Sequence, residues 1–301
     1  MTETDPISPS IGGLTAFPLT PATSDGVVLV DEVTGLVDRL ASTAVSAIGV
    51  LGSTGIQAYL TRQERRRAIV AAAEANGGRK PLMVGIGAMR TDDACVLASD
   101  AAEAGADWLV LTPISYTPLT QEEAFAHYQM VAAETELPLC IYANPGTTHF
   151  VFSRDLIRRL AQEPSIKAIK MPLTDDGDVA GELAVLRAAC PADFSLGYSA
   201  DWEMVRSFAE GADCFHSAAA GLFPNAWLAL AEAARTDNQS ALSAFRPMLE
   251  LLRAHGSLRV LYACAAQMGL TKAVPPRPIL PLDADVQKQC AVAMARFESF
   301  G

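Results

Sequence analysis

The chain predicts a (β/α)8 barrel, the TIM fold, with a helical C-terminal extension. Eight short apolar runs occur along its 301 residues, each followed by a helix-like stretch, at a spacing of very roughly 30 residues. No GxGxxG fingerprint follows a run, which argues against the doubly wound open sheet, the main competitor. After the eighth run, about 80 residues read almost wholly as helix.

The apolar runs are residues 11–20, 47–53, 81–88, 107–113, 138–145, 166–172, 194–201 and 213–219. The clearest helices cover 61–76, 91–105, 120–136 and 153–162. Two of them open on capping-box patterns, Thr61-Arg62-Gln63-Glu64 and Thr120-Gln121-Glu122-Glu123. Gly77-Gly78 and Gly105 stand where helix ends want left-handed backbone. One helix past the eighth run completes the barrel, so residues 1–237 are expected to form the barrel domain and 238–301 the extension. Pro275-Pro276-Arg277-Pro278 interrupts the extension before its last helix.

Composition excludes several function classes. Half the residues are apolar and 19% are charged, ordinary values for a soluble globular protein. The net charge of −11 comes without a basic run, so nucleic acid is not an expected partner. No apolar run approaches the roughly 18 residues of a membrane span, and the polar, acidic start MTETDPISPS is unlike a secretory leader. Cys95, Cys140, Cys190, Cys214, Cys264 and Cys290 are scattered without CxxC spacing. That pattern fits reduced thiols in the cytoplasm, with neither a disulfide framework nor a zinc site. His127, His149 and His255 form no metal constellation.

In such barrels the chemistry sits at the carboxyl ends of the strands. Those ends present Thr20, Ser53-Thr54, Thr112, Tyr142 with Asn144, Lys170, Gly197-Tyr198-Ser199 and His216-Ser217. Lys170 is one of only five lysines and the single amine of the group. An ammonium ion is costly to bury, and a neutral lysine amine forms Schiff bases with carbonyl compounds. The alternative is a lysine that snorkels from the strand end to water. Tyr142, on the adjacent strand end, is suited to moving protons for a carbinolamine, or else is a core tyrosine with its hydroxyl at the rim. Gly52-Ser53-Thr54-Gly55 offers hydroxyls and backbone N–H groups as a carboxylate cradle, or is simply a strand-to-helix turn. His216 is read either as a satisfied barrel histidine or as a group at the site.

These residues together resemble the dihydrodipicolinate synthase / N-acetylneuraminate lyase family of class I, pyruvate-type aldolases. The resemblance runs from about residue 11 to 224. Gly12-Gly13-Leu14-Thr15-Ala16-Phe17-Pro18-Leu19-Thr20-Pro21, with Asp25-Gly26, is similar to the family's opening strand. Gly52-Ser53-Thr54-Gly55, Leu60-Thr61 and Glu64-Arg65 resemble its carboxylate-binding loop and the helix after it. The Ser-Thr pair looks more like the neuraminate lyase branch than the synthases. Thr112-Pro113, Tyr142 to Pro145, and Lys170 fall on further family positions. The resemblance implies that Lys170 attacks a keto group, that Tyr142 shuttles protons, and that Ser53 and Thr54 hold the keto-acid carboxylate. It sets the position of His216 near the substrate, and Gly197, at the seventh strand end, is a further substrate-binding candidate. It also implies a tetramer built as a dimer of dimers, with no metal and no organic cofactor.

The chain departs from the family at informative places. Ile56 replaces the glutamate after the Gly-x-x-Gly loop, and His216 replaces an apolar residue. Ile114-Ser115 replaces a tyrosine pair whose second member reaches across a dimer interface. Tyr116 stands one position late, and its hydroxyl is expected near an active-site mouth, its own or a partner's. Thr147 replaces the arginine that binds the carboxylate of aspartate semialdehyde, and a hydroxyl cannot replace a bidentate guanidinium. The expectation is a Schiff-base-forming lyase, aldolase or dehydratase, acting on pyruvate or another 2-keto acid and not a true dihydrodipicolinate synthase. The alternative is a non-catalytic 2-keto-acid binder on the same fold.

Overall fold

A computed structural model describes residues 10–173 and 177–300. Nearly all of the N-terminal segment read against a secretory leader lies outside them.

Eight parallel strands close into one barrel in sequence order. They are β1 Gly13–Ala16, β2 Ala47–Val50, β3 Leu82–Gly85, β4 Trp108–Leu111, β5 Leu139–Tyr142, β6 Ile166–Met171, β7 Ser195–Tyr198 and β8 Cys214–Ser217. The strands are shorter than the apolar runs that announce them, because each run continues into the loop beyond its strand. The intervening helices are α1 Val30–Ala41, α2 Arg62–Asn76, α3 Thr91–Glu103, α4 Gln121–Ala133, the single turn α5 Pro145–Thr148, α6 Arg154–Leu160, α7 Val179–Ala189 and α8 Met204–Ala209. Helix α9, Pro224–Arg235, completes the barrel. Then come α10 Gln239–His255, α11 Ser257–Gln267 and α12 Ala284–Phe297.

Local sequence explains the ends. Thr120 and Glu123 form a complete capping box on α4. On α2 the box is only half made. Thr61 accepts from the Glu64 N–H, but the Glu64 carboxylate accepts from Val28 N and pairs with Arg67 instead. The reason is tertiary: the β1–α1 loop supplies an N–H that would otherwise go unpaired. Gly77 ends α2 in left-handed geometry.

Strand side chains alternate between two cores. Leu14, Ile48, Leu82, Leu109, Ile141 and Ile169 face the helices. Ile11, Phe17, Ala47, Met83, Trp108, Val110, Cys140, Tyr142, Ala168 and Cys214 fill the barrel. The C-terminal helices join the barrel through a cluster of rings. Phe223 stacks on Trp227 at 5.5 Å, Phe245 stacks on Phe297 at 5.4 Å, and Trp227 meets Phe245 edge-on at 5.8 Å. Each such pair contributes about 0.5–1.5 kcal/mol beyond area burial. This docking matters for the site, because it brings the first residues of α11 to the barrel mouth.

Candidate active site

On β6, Ile-Lys-Ala-Ile-Lys-Met, alternation decides the fate of two lysines. Lys167 points outward, where its Nζ pairs with Asp193 at 2.8 Å. Lys170 points inward and is 5% exposed. Its Nζ sits 3.9 Å from the Phe17 ring centroid and 4.2 Å from that of Tyr142. No described carboxylate lies within ion-pairing distance of it. Tyr142 is its register partner on β5.

The Tyr142 hydroxyl is the hub of a small network. It lies 3.3 Å from Ser53 Oγ, and Asn144 Nδ2 donates to it at 3.0 Å. Asn144 Nδ2 also reaches Ser53 Oγ at 3.5 Å. Asn144 stands on the strand-end roster, but no role could be assigned to it from sequence. What fixes its place is the turn α5, whose Thr147 and Thr148 N–H groups donate to the Asn144 carbonyl.

The Gly52-Ser53-Thr54-Gly55 loop is held tightly. Leu51 and Ile56 flank it with φ of 57° and 52°, unusual for such side chains. A Cβ on Gly55 would fall 2.9 Å from Leu51 N, so only glycine fits there. Within the loop, the Ser53 and Thr54 N–H groups have no acceptor among the described residues. Gln57, which sequence reasoning did not single out, is buried behind the loop. It accepts from Gly87 N at 3.2 Å and reaches Thr112 Oγ1 at 3.4 Å, tying the ends of β2, β3 and β4 together. A buried amide just after a Gly-x-x-Gly loop was the available signal.

Phe17, Ser53, Thr54, Tyr142, Asn144, Lys170 and His216 all line one cavity of about 610 Å³ at the carboxyl ends of the strands. Gly256, Ser257 and Leu258 at the start of α11, and Ile279 beyond it, complete its rim. Asp201 borders the cavity too, but its carboxylate turns into the wall. There it accepts from Ser217 Oγ, Ala219 N and Trp227 Nε1, against the burial that raises its pKa.

His216 is 2% exposed. Its Nε2 lies 3.4 Å from Cys214 Sγ, while its Nδ1 has no partner among the described residues. Burial, and then the charge of Lys170, hold its pKa well below the ordinary value. Burial likewise pushes the Cys140 thiol up to about 12 and Cys214 well above its usual range. The barrel interior therefore carries neutral thiols and a neutral imidazole beside the amine.

One expected site residue needs correction, and a second lies outside the cavity of its own chain. Gly197 does not line the cavity; it serves by having no side chain. A Cβ there would meet Cys214 Sγ at 2.4 Å and His216 Nε2 at 2.8 Å, so glycine makes room for the imidazole. Tyr116 is 96% exposed and does not line the cavity of its own chain. Ser115 Oγ donates to Thr117 O, and this loop offers Ile114 to the cavity in place of the tyrosine. Among the described residues no group of three or more His, Cys, Asp and Glu side chains could hold a metal ion.

Comparison with known proteins points to one family. A family model for the Dihydrodipicolinate synthetase family matches residues 10–296. The chain is 32% identical over 272 residues to the 4-hydroxy-tetrahydrodipicolinate synthase of Salinibacter ruber, covering 88% of each chain. It is 28% identical to that of Leptothrix cholodnii, covering 96% of this chain and 98% of the relative. A crystal structure of a dihydrodipicolinate synthase from Agrobacterium tumefaciens is 49% identical, with a TM-score of 0.93 over 95% of this chain and 98% of that one. The chloride-inhibited Acinetobacter baumannii enzyme, solved with pyruvate, is 26% identical, with a TM-score of 0.86 over 96% and 99%.

Proposed function

The chain belongs to the dihydrodipicolinate synthetase family of lyases, and from that premise we propose that it is a Schiff-base-forming enzyme acting on pyruvate or another 2-keto acid. The observation that carries this reading is Lys170, a buried amine without a described ion pair, pointing into the cavity beside the Tyr142 hydroxyl.

In the proposed reaction the Lys170 amine adds to the C2 carbonyl of the keto acid, giving a carbinolamine. Loss of water from it gives the imine. Tyr142 carries the protons: one to the departing hydroxyl, and later one between C3 and the leaving or incoming group. Asn144 and Ser53 orient its hydroxyl. The free N–H groups and hydroxyls of Ser53 and Thr54 take the carboxylate, so C2 is presented to the amine. The imine nitrogen acts as the electron sink when a proton or a carbon substituent leaves C3.

The second substrate, or the leaving group, lacks the carboxylate of aspartate semialdehyde. Thr147 supports this, since it stands on the exposed turn α5 with its Oγ1 turned to the Asn144 carbonyl at 3.3 Å. Lys170 is the only lysine or arginine among the described lining residues. One observation favours the second reading, a keto-acid binder: within one chain no tyrosine hydroxyl other than that of Tyr142 is hydrogen-bonded into its network. The enzyme reading meets this with a tetramer in which the exposed Tyr116 reaches a partner's mouth. No helix of the described residues is long and apolar enough to cross a membrane. We place the enzyme in the cytoplasm on the ground of its scattered free cysteines.

Treating the protein with pyruvate and borohydride, then mapping the adduct by peptide mass, tests the core of the proposal. The expected adduct is on Lys170; an adduct on Lys167, or none with any 2-keto acid, overturns it. Pyruvate adduct formation without exchange of its C3 protons supports the binder.

A further inference from the structure

His216 and Lys170 share one level of the barrel. Register carries Lys170 to Gly197 on β7 and Gly197 to Cys214 on β8. In an eight-stranded barrel of this tilt, inward residues of one layer advance by about one position per strand. The β8 residue level with Lys170 is therefore the one two positions beyond Cys214, which is His216. Between them lies Gly197, with no side chain to screen one from the other.

The imidazole is anchored on one edge only. Nε2 packs over Gly197 toward Cys214 Sγ, and the Phe17 ring meets His216 edge-on at 5.9 Å. Nδ1 is left without a partner among the described residues, in a side chain that is 2% exposed and borders the cavity. A buried polar atom left unpaired is costly, and such atoms in native sites usually meet a ligand or water. Apart from Lys170 and Asp201, the described lining residues carry no charge, and several are hydroxyls or amides: Gln57, Thr112, Thr148, Ser199 and Ser257 border the same cavity.

We propose that His216 is the specificity-determining residue of this site, hydrogen-bonding a hydroxyl on the substrate chain beyond the keto carbon, and that the substrates are 2-keto acids whose chain past the keto group is uncharged and hydroxylated. This rests on the Schiff-base reading of Lys170. A chain bound as an imine must leave Lys170 past one of its neighbours. Tyr142 and its partners Ser53 and Asn144 occupy one side, so the chain leaves past His216 on the other. A neutral imidazole there favours a hydroxyl over a methylene. An apolar side chain in its place would not distinguish them, since a hydrophobic pocket rejects an added hydroxyl only weakly.

The test uses borohydride trapping read by intact mass, with three probes: pyruvate, 2-oxopentanoate and 4,5-dihydroxy-2-oxopentanoate. The wild-type protein should reach half-maximal trapping with the dihydroxy acid at a concentration roughly tenfold or more below that for 2-oxopentanoate. His216→Leu should bring the two concentrations together, and His216→Asn should restore part of the difference. Both variants must first form a pyruvate adduct and melt cooperatively. No pyruvate adduct in the wild type overturns the Schiff-base reading and this inference with it. A pyruvate adduct with no wild-type preference, or a preference that survives in both variants, overturns this inference alone. Loss of the pyruvate adduct in both folded variants would make His216 part of imine formation and overturn the specificity assignment.

Discussion

Tyr142→Phe isolates the proton relay with little disturbance to the fold. The ring that Lys170 faces at 4.2 Å is kept, and only the hydroxyl goes. That hydroxyl holds two partners, Ser53 at 3.3 Å and Asn144 at 3.0 Å, and these two remain 3.5 Å apart and can bond each other. The stability loss should therefore be that of one partly rescued hydrogen bond, about 1 kcal/mol or less. The chemical loss is larger. A positioned acid–base group contributes about 10²- to 10⁴-fold, which is roughly 2.7–5.5 kcal/mol of barrier. The assay need not know the second substrate. Exchange of the pyruvate C3 protons in deuterium oxide, followed by NMR, reports imine–enamine interconversion directly. Exchange should slow by two to four decades while the melting temperature stays nearly constant. Exchange within about threefold of wild type, in a folded variant, would refute the relay and return Tyr142 to a packing role.

Three further outcomes are expected. Lys170→Met should abolish borohydride trapping and leave the melting temperature equal or raised, because a thioether chain is cheaper to bury than an amine; a surviving adduct in this variant would remove Lys170 from the mechanism. Condensation of pyruvate with aspartate semialdehyde should run below a kcat/KM of about 10⁴ M⁻¹ s⁻¹, and Thr147→Arg should raise it by roughly 10- to 100-fold through a new charge-assisted contact; an efficient wild type would show that another cation reaches the site. Acid should weaken the fold below pH 6.5 in part through two histidines. His216 and His127 are buried with pKa values lowered from 6.5, so the unfolded chain takes up protons that the folded chain refuses. Stability then falls as pH falls from 6.5 toward the folded-state values, by about 1.4 kcal/mol per pH unit for each histidine. Urea unfolding of wild type and His216→Leu at pH 7 and 5.5 should show the smaller acid loss in the variant; equal losses would mean that His216 is protonated in the fold.

The barrel was legible because its signals are local and repeated. The apolar runs, the capping threonines at 61 and 120, and the glycine that ends α2 all reflect chemistry within a few residues. Lys170 stood out as the single amine at an apolar strand end, and the structure adds that alternation on β6 sends Lys167 outward and Lys170 inward. The roles of Asn144 and Gln57 were not legible. Each acts by bonding groups far along the chain, Ser53 for one and Gly87 and Thr112 for the other, and no spacing rule connects those positions. Tyr116 stands apart: its side chain is exposed on its own chain, and the assembly decides whether its hydroxyl reaches a partner's mouth.

What the sequence determined by itself is therefore the periodic part: which runs form strands, which segments form helices, and which polar groups and amine stand at the strand ends. Only the tertiary structure decided which of those ends meet. Closure of eight tilted strands sets Lys170 level with His216, with Gly197 open between them. Docking of the C-terminal helices onto α9 brings Ser257 to the cavity rim. These juxtapositions depend on register and packing summed around the whole barrel, and no local stretch of chain contains that information.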